Sequence, residues 1–169
     1  LSLVIGMAII KSIEEEYQLE GLKIKWPNDV YYGNNKLAGI LMENNIHKGA
    51  QYVVIGVGVN YQLDQKINID IPWTDLAQIL KKLPSFDTLT AAFIKNILAM
   101  SKDFESKGLS NLLSEWSDYD MLKGVKIRSK NSKEIFEGEV DGISEHGALR
   151  ILTTDGVKEV YSSIHIEYI

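Results

Sequence analysis

The sequence contains no cysteine, which rules out a disulfide framework and a thiolate metal site. This is compatible with the cytosol, and we expect a cytoplasmic protein. Arginine is almost absent as well: Arg128 and Arg150 are the only two among 169 residues, and the net charge is −5. A general nucleic-acid binder needs a basic stripe that neutralises phosphates, so we expect no nucleic-acid partner for this chain.

Long apolar runs are also lacking, so the sequence predicts no membrane-spanning helix and no membrane partner. The first ten residues are apolar, but the basic start and the small-residue cleavage site of a signal peptide are missing. Their apolar spacing continues as far as Tyr17, which predicts an amphipathic helix over residues 1–17 that faces the core. Because Leu1 falls inside this helix, we expect further polypeptide to precede it.

Several motifs of known chemistry are missing. The histidines, His47, His146 and His165, lie far apart without ligand spacing, so a zinc site is not expected. The sequence has no phosphate-binding loop of the Walker type and no Gly-x-Ser-x-Gly nucleophile elbow. The stretch Gly56-Val-Gly-Val-Asn60 lacks the third glycine and the following helix of a dinucleotide fingerprint.

Apolar residues make up 45% of the chain, which is enough for a core. A hairpin is predicted near the start of the chain. The alternating residues 22–26 predict a half-buried strand that ends at Pro27, because proline cannot donate to a ladder. A second strand at 30–32 runs into Gly33-Asn34-Asn35, a strong hairpin signal. The nearly continuous apolar run 36–43 predicts a third strand that is buried on both faces. Taken alone, this pattern is typical of an ordinary surface hairpin.

A fourth strand is predicted over residues 51–60, after turns at Asn44–Asn45 and at 47–49. Gly56 and Gly58 are two apart and share one face of this strand, which therefore lacks side chains there. A close strand crossing, a bulge and a bound ligand each explain such a face.

Asn60 ends the fourth strand, and its side-chain amide can both donate and accept hydrogen bonds. Residues 61–72 have no clean period and predict a long loop, a kind of segment that is usually functional or mobile. Trp73 follows, just before a short helix predicted over about 74–83. A tryptophan there is either a packing anchor or a ring that closes over a flat ligand.

Two more helices are predicted. Asp87 or Thr88 caps the first, which Gly108 ends as a C′ glycine, and the second covers about 110–119. The first carries an apolar stripe at spacings of three or four, which indicates a core face: Leu89, Phe93, Ile97, Met100 and Phe104.

From residue 123 onward the apolar period changes to two, and five short strands are predicted. They cover 125–128, 134–142, 148–153, 157–161 and 166–169, and the turns between them include 130–133 and 162–163. This pattern favours a small β-barrel. We therefore predict an α+β fold, with a mixed β-sheet and flanking helices in residues 1–121 and a barrel domain in residues 122–169.

Three stretches, in this order and at these gaps, resemble the biotin protein ligases (biotin–[acetyl-CoA-carboxylase] ligases): Lys25-Trp-Pro-Asn-Asp29, Lys36-Leu-Ala-Gly-Ile-Leu41 and Gly56-Val-Gly-Val-Asn60. The resemblance covers essentially the whole chain but only the later part of a typical member. It implies the C-terminal part of a class II synthetase-like catalytic domain, incomplete at its N-terminal end, followed by an SH3-like barrel.

The resemblance also implies a reaction and partners. Members activate biotin with ATP to biotinyl-5′-AMP, then pass the acyl group to one lysine of a biotin carboxyl carrier protein of acetyl-CoA carboxylase or a similar carboxylase. The first step brings negative groups together, so fixed cations and Mg²⁺ must offset their repulsion. We also expect a homodimer through a sheet edge.

Site residues are assigned by the same resemblance. Lys36 is the catalytic residue and holds the carboxyl and phosphoryl oxygens. Asn28, Asp29 and Asn60 form the polar set near the phosphates and metal, and Asp29 is the residue assigned to Mg²⁺. Trp73 closes the adenine loop. The other implied binding residues leave room for the flat bicyclic ligand and the adenosine: Gly39, Leu41, Gly56, Gly58 and Val59.

Two family features do not occur in these residues. The glycine- and arginine-rich biotin-binding loop lies upstream of the first helix in that family, as does the DNA-binding winged helix of some members. An alternative interpretation is therefore a non-catalytic module that binds nucleotide or biotin or forms a dimer. A lipoate ligase is a lesser alternative, which the Lys25–Asp29 stretch disfavours.

Overall fold

The computed structural model describes residues 1–64, 66, 70–130, 135–162 and 166–169. Its helices and strands confirm the α+β class. None of the described helices is both long enough and apolar enough to cross a membrane. In chain order the elements are α1 (Ser2–Tyr17), β1 (Leu22–Lys25), β2 (Asp29–Tyr32), β3 (Asn35–His47), β4 (Ala50–Val59), α2 (Leu76–Ile79), α3 (Phe86–Lys107), α4 (Ser110–Tyr119), β5 (Lys126–Lys130), β6 (Ile135–Ile143), β7 (Leu149–Thr153), β8 (Gly156–Val160) and β9 (Ile166–Tyr168).

Helix α1 lies between the first sheet and helix α3. Every residue from Leu3 to Ile10 is buried, as expected for a helix that is covered on all sides. The contact between α1 and α3 contains a polar group as well: the buried Ser12 hydroxyl donates to the Ala8 carbonyl at 2.7 Å and accepts from Asn96 Nδ2 at 3.0 Å. The buried Ser12 hydroxyl is therefore satisfied by partners on both helices.

The first sheet is an antiparallel meander in the order β1-β2-β3-β4. The prediction of a mixed sheet is wrong for the strand pairings that the structure describes, which are all antiparallel. Parallel contacts occur only as isolated bridges among the described residues, Ile24 with Asp120 and Lys36 with Trp73. The second of these bridges joins the hairpin to the segment that follows β4.

The turn predicted at Asn44–Asn45 is wrong. Strand β3 continues to His47, because Asn44 pairs with Val53 and Asn45 pairs with Tyr52 of β4. The turn predicted at 47–49 is confirmed for Lys48 and Gly49, which have φ angles of 51° and 80° and suit a tight hairpin. Pairing with a long partner strand has overridden the local turn preference of asparagine.

Strand β3 is not buried on both faces, contrary to the prediction. Leu41 is 65% exposed, whereas its neighbour Ile40 is 3% exposed. Helix α1 covers one face of the sheet, so alternate residues of β3 point away from it.

Two helix predictions need correction, and one is confirmed. Helix α2 is a single turn rather than residues 74–83, because Leu80 is already extended at φ −104° and ψ 140°. Helix α3 starts at Phe86 with Ser85 at the N-cap position, so Asp87 lies in the first turn and is not the cap. The bounds predicted for α4 match the structure.

The C-terminal strands form a second antiparallel sheet in the order β8-β7-β6-β5-β9. The five predicted strands are confirmed. Closure into a barrel stays a prediction, since β8 and β9 are at opposite edges and do not pair in the described part of the chain. The predicted turns at 130–133 and 162–163, like His165, lie wholly or partly outside the described residues.

The two sheets meet around a buried carboxylate. Asp120 accepts hydrogen bonds from Trp116 Nε1 and from the Leu122 amide, both at 2.8 Å. Burial raises the pKa of the Asp120 carboxyl above its ordinary value of 3.8, and these two hydrogen bonds oppose the rise. A second contact is made by Trp26 Nε1, which donates to the Gly147 carbonyl at 2.9 Å and ties the first hairpin to the second sheet.

Candidate functional site

The site is built on the hairpin of β2 and β3. Asp29 starts β2 and stands opposite Gly39 of β3. Lys36, three residues before Gly39, extends its side chain over this glycine, and its Nζ lies 2.7 Å from Asp29 Oδ1. A Cβ atom at Gly39 would lie 3.2 Å from Asp29 Oδ1 and 3.3 Å from Lys36 Nζ. A side chain at position 39 would therefore crowd the ion pair, and glycine leaves the pair undisturbed.

Asn28 holds the two ends of this hairpin together. Its carbonyl accepts from the Ile40 amide at 2.9 Å, and its Nδ2 donates to the Ile40 carbonyl at 2.8 Å. The side-chain amide of Asn28 is thus engaged in a hydrogen bond to the backbone of β3. The geometry supports a role for Asn28 in positioning Asp29, the next residue along the chain.

Asn60 performs a similar task at the end of β4. Its Nδ2 donates to the carbonyls of Lys36 at 3.1 Å and Thr74 at 2.9 Å. The Lys36 amide donates to the Pro72 carbonyl, and the Thr74 amide donates to the Lys36 carbonyl. Lys36 is therefore held between the residues on either side of Trp73, which brings that ring to the hairpin.

These contacts surround a cavity of about 350 Å³. Its wall combines one cationic group with apolar side chains and an indole ring, a composition that suits an anionic ligand with a flat ring system. Gly39 and Gly58 have no side chains, which leaves the cavity open beside the ion pair of Lys36. The lining residues are Lys36, Ala38, Gly39, Gly58, Val59, Asn60, Ile71 and Trp73.

The structure brings some of the predicted residues together and leaves others apart. Lys36, Gly39, Gly58, Val59, Asn60 and Trp73 line one cavity, and Asp29 reaches it through Lys36. Leu41 and Gly56, by contrast, pair with each other two residues further along the ladder, outside this lining.

Two lining residues are absent from the set that the sequence predicts. Ala38 is a small buried residue inside a strand, and nothing in its type distinguishes it from core. Ile71 is different, because it is an apolar residue that stays half exposed in a polar loop directly before Pro72 and Trp73. An apolar residue within a polar loop is the sequence signal that could have identified Ile71 as a lining residue.

The described residues contain no group of three or more histidine, aspartate or glutamate side chains that could hold a metal ion. Beside the cavity, the Asp29 carboxylate pairs with the lysine of the wall. Magnesium sites that serve nucleotides commonly use one or two carboxylates, with the remaining ligands supplied by phosphates and water. A single carboxylate at this position fits such a site, and the assignment to Asp29 stays a prediction.

Comparison with known proteins gives a consistent result. Residues 1–60 match the model of the biotin/lipoate A/B protein ligase family, and residues 123–164 match the biotin protein ligase C-terminal domain. The chain is 35% identical over 162 residues to the bifunctional ligase/repressor BirA of Escherichia coli, covering 93% of this chain and 49% of that protein. Identity to the BirA of Bacillus subtilis is 29% over 170 residues, 96% of this chain and 51% of that protein.

Solved structures agree with the sequence comparisons. The biotin protein ligase of Aquifex aeolicus superposes with a TM-score of 0.82 at 25% identity, over 99% of this chain and 73% of that one. The same ligase in complex with biotin and ATP has a TM-score of 0.82 at 26% identity, over 99% and 70%. Fold and sequence relate this chain to the biotin/lipoate A/B protein ligase family.

More narrowly, the chain belongs to the biotin protein ligase family. It spans about half the length of the curated relatives that it matches.

Proposed function

We propose that the protein catalyses ATP-dependent attachment of biotin to a lysine of a biotin carboxyl carrier domain, through biotinyl-5′-AMP. The observation that carries this proposal is the Lys36–Asp29 ion pair at the wall of a cavity that also contains Trp73. The Aquifex aeolicus ligase that binds biotin and ATP has the same fold over nearly the whole of this chain, which supports the choice of substrates.

The first step is adenylation. A carboxylate oxygen of biotin attacks the α-phosphorus of ATP, a new oxygen–phosphorus bond forms, and pyrophosphate leaves as the α–β bond breaks. Both reactants are anionic, so a fixed cation at the meeting point lowers the barrier. Lys36 supplies that cation, and the 2.7 Å contact with Asp29 Oδ1 directs its Nζ along the hairpin.

The apolar wall would receive the rings of the ligand. Val59, Ile71 and Trp73 offer the flat and apolar surface, while Gly39 and Gly58 keep the backbone accessible. An indole against an aromatic base prefers an offset or edge-to-face arrangement and contributes about 0.5 to 1.5 kcal/mol beyond its buried area. Asn60 supports this wall by holding Thr74 and Lys36 together.

Mg²⁺, when bound, would offset charge on the phosphoryl oxygens. Asp29 is the residue that we assign to it, since its carboxylate lies beside Lys36. Lys36 would offset part of the same phosphoryl charge.

The second step transfers the acyl group. The amine of the carrier lysine attacks the acyl carbon, a carbon–nitrogen bond forms, and AMP leaves with the electrons of the carbon–oxygen bond. We propose that the acceptor is the carrier domain of acetyl-CoA carboxylase or a similar carboxylase, in the cytoplasm where ATP and the carrier are available. The catalytic part is assigned to residues 1–121 and an SH3-like barrel to residues 122–169.

A specific surface favours a homodimer through a sheet edge. Strand β4 is the outer strand of its sheet, and Tyr52, Val53 and Val54 are exposed on it. A long apolar edge strand is a template for pairing with another strand. A second copy of the chain can extend the sheet across this edge, and a dimerisation module without catalysis is the alternative function that this surface supports.

The reaction is tested by incubating the protein with biotin, ATP, Mg²⁺ and an acetyl-CoA carboxylase carrier domain, followed by intact-mass analysis of the carrier. One biotinyl group on one lysine is expected, with none when ATP is omitted. Lipoate replaces biotin in a parallel reaction and should not be transferred. Absence of any biotinylated carrier would contradict the proposal.

A further inference from the structure

The carboxylate of Asp75 is almost completely inaccessible, with 1% of the residue exposed. Burying a carboxylate is costly unless hydrogen bonds satisfy it. Asp75 is the N-cap of α2, and its Oδ1 accepts from the Gln78 amide at 2.9 Å. Serine caps a helix about equally well without a buried charge, so capping a single helical turn does not explain this residue.

The second carboxylate oxygen of Asp75 explains why an aspartate occupies this position. Oδ2 accepts a hydrogen bond from the Leu63 amide at 2.9 Å, across twelve positions of the sequence. The same two segments are joined by the Ala77 amide, which donates to the Tyr61 carbonyl, and by the Leu76 amide, which donates to the Asn60 carbonyl. Asp75 therefore joins the two ends of the segment between Leu63 and Trp73, and this closed base is made entirely by residues that the structure describes.

The closed base has a direct consequence for the cavity. Ile71 and Trp73 lie in its wall, and Trp73 immediately precedes the closure at Thr74 and Asp75. Holding both ends of a loop removes part of the entropy that ligand binding would otherwise have to overcome. A base that is closed before binding keeps these two side chains at the cavity.

We propose that Asp75 is a positioning residue for nucleotide binding, which acts by tying the Leu63 amide to the start of α2. This inference rests on the proposed function, because it takes the cavity to be the nucleotide site. Asp75 itself does not touch the ligand. It acts through the loop that presents Ile71 and Trp73.

The variant Asp75→Ser separates the hydrogen bond to the Leu63 amide from the capping hydrogen bond to the Gln78 amide. Serine keeps an oxygen for the Gln78 amide but has no second oxygen for the Leu63 amide. Asp75→Asn is a second variant of nearly the same volume, whose single carbonyl oxygen can satisfy only one of the two amides. Asp64→Asn is the matched control, since Asp64 is an exposed carboxylate at the start of the same loop that bonds the Lys66 amide locally.

Two measurements are made on each variant: hydrogen exchange of the Leu63 and Gln78 amides without ligand, and calorimetric binding of ATP. In Asp75→Ser we expect faster exchange at Leu63, retained protection at Gln78, and ATP binding that is weaker by about tenfold. In the carrier assay, the KM for ATP should rise by a similar factor while kcat at saturating ATP stays within about twofold. Asp64→Asn should match the wild type throughout.

The outcomes separate this inference from the proposed function. Faster exchange at Leu63 with unchanged ATP affinity overturns the inference and leaves the function standing. Unchanged exchange at Leu63 in both Asp75 variants overturns it as well. If the wild-type protein binds no ATP, the proposed function fails and the inference fails with it.

Discussion

Lys36 Nζ lies 2.7 Å from Asp29 Oδ1, and the lysine side chain reaches this position by passing over Gly39. Both side chains remain partly exposed, so the pair contributes little to stability and is available to a ligand. The backbone of the same lysine is held between Pro72 and Thr74. One residue thus connects the cation, the hairpin and the loop that carries Trp73.

Replacing this lysine tests its chemical role. Lys36→Ala removes the cation that we propose lies beside the reacting phosphoryl group, and we expect the rate of biotinyl-adenylate formation to fall at least about tenfold, on the order of 1.4 kcal/mol of barrier. Pyrophosphate release in single-turnover reactions measures this rate. Lys82→Ala, at an exposed lysine in the segment after α2, is the control and should keep the wild-type rate. A wild-type rate in Lys36→Ala would remove Lys36 from the site.

A side chain at Gly39 is expected to crowd the ion pair of Lys36 and Asp29. In Gly39→Ala the new methyl group meets Asp29 Oδ1 at 3.2 Å and Lys36 Nζ at 3.3 Å, so the ion pair must move. We expect a loss of adenylation rate of about tenfold. Gly58→Ala is the matched comparison, because its nearest neighbour is the Gly39 carbonyl at 4.0 Å and the ion pair can stay in place. Equal rate losses in the two variants would show that displacement of the pair is not the cause.

Asp120 predicts a pH dependence of stability. Burial raises the pKa of its carboxyl above 3.8, so the folded state binds more protons than the unfolded state between that value and the folded pKa. The contribution of Asp120 is fully present below pH 3.8 and is lost as the pH rises through the folded pKa.

Urea unfolding of the wild type and Asp120→Asn over this pH range measures the effect. The free energy of unfolding of the wild type, relative to that of the variant, should decrease as the pH rises. Asp118→Asn controls for the loss of a carboxylate at an exposed position of the same helix. A difference that increases with pH would contradict a raised pKa for the Asp120 carboxyl.

The exposed edge of β4 predicts a dimer, and a single charge introduced on this edge should disrupt it. Val53→Lys places an ammonium group on the edge strand, which opposes pairing with a second copy. Sedimentation velocity should show a dimer for the wild type and a monomer for this variant. Val157→Lys makes the same change on β8, the edge of the other sheet, and should leave the dimer intact. A monomeric wild type would remove the proposed interface.

Local patterns were sufficient for much of the fold. The apolar spacing of α1 and α4 and the Gly33 turn predicted those elements close to their observed positions. The failed turn prediction has a cause outside the local sequence. Asn44 and Asn45 prefer turns, yet pairing with β4 keeps them in a strand, and such pairing depends on contacts that local propensity does not contain.

The site was less accessible from the sequence. Lys36, Gly39 and Asn60 belong to recognisable stretches, but the parallel bridge between Lys36 and Trp73 joins residues that no periodicity relates. The buried tie from Asp75 to Leu63 could not be predicted for the same reason, since an aspartate before a short helix predicts only a cap.

The central claim is that the cavity beside Lys36 is an adenylate site. Calorimetric titration of the protein with biotinyl-5′-AMP tests it most directly, because this ligand combines the bicyclic ring, the acyl phosphate and the adenosine. We predict binding of micromolar affinity or tighter, weakened at least about tenfold by Lys36→Ala. No detectable binding by the wild-type protein would contradict the claim.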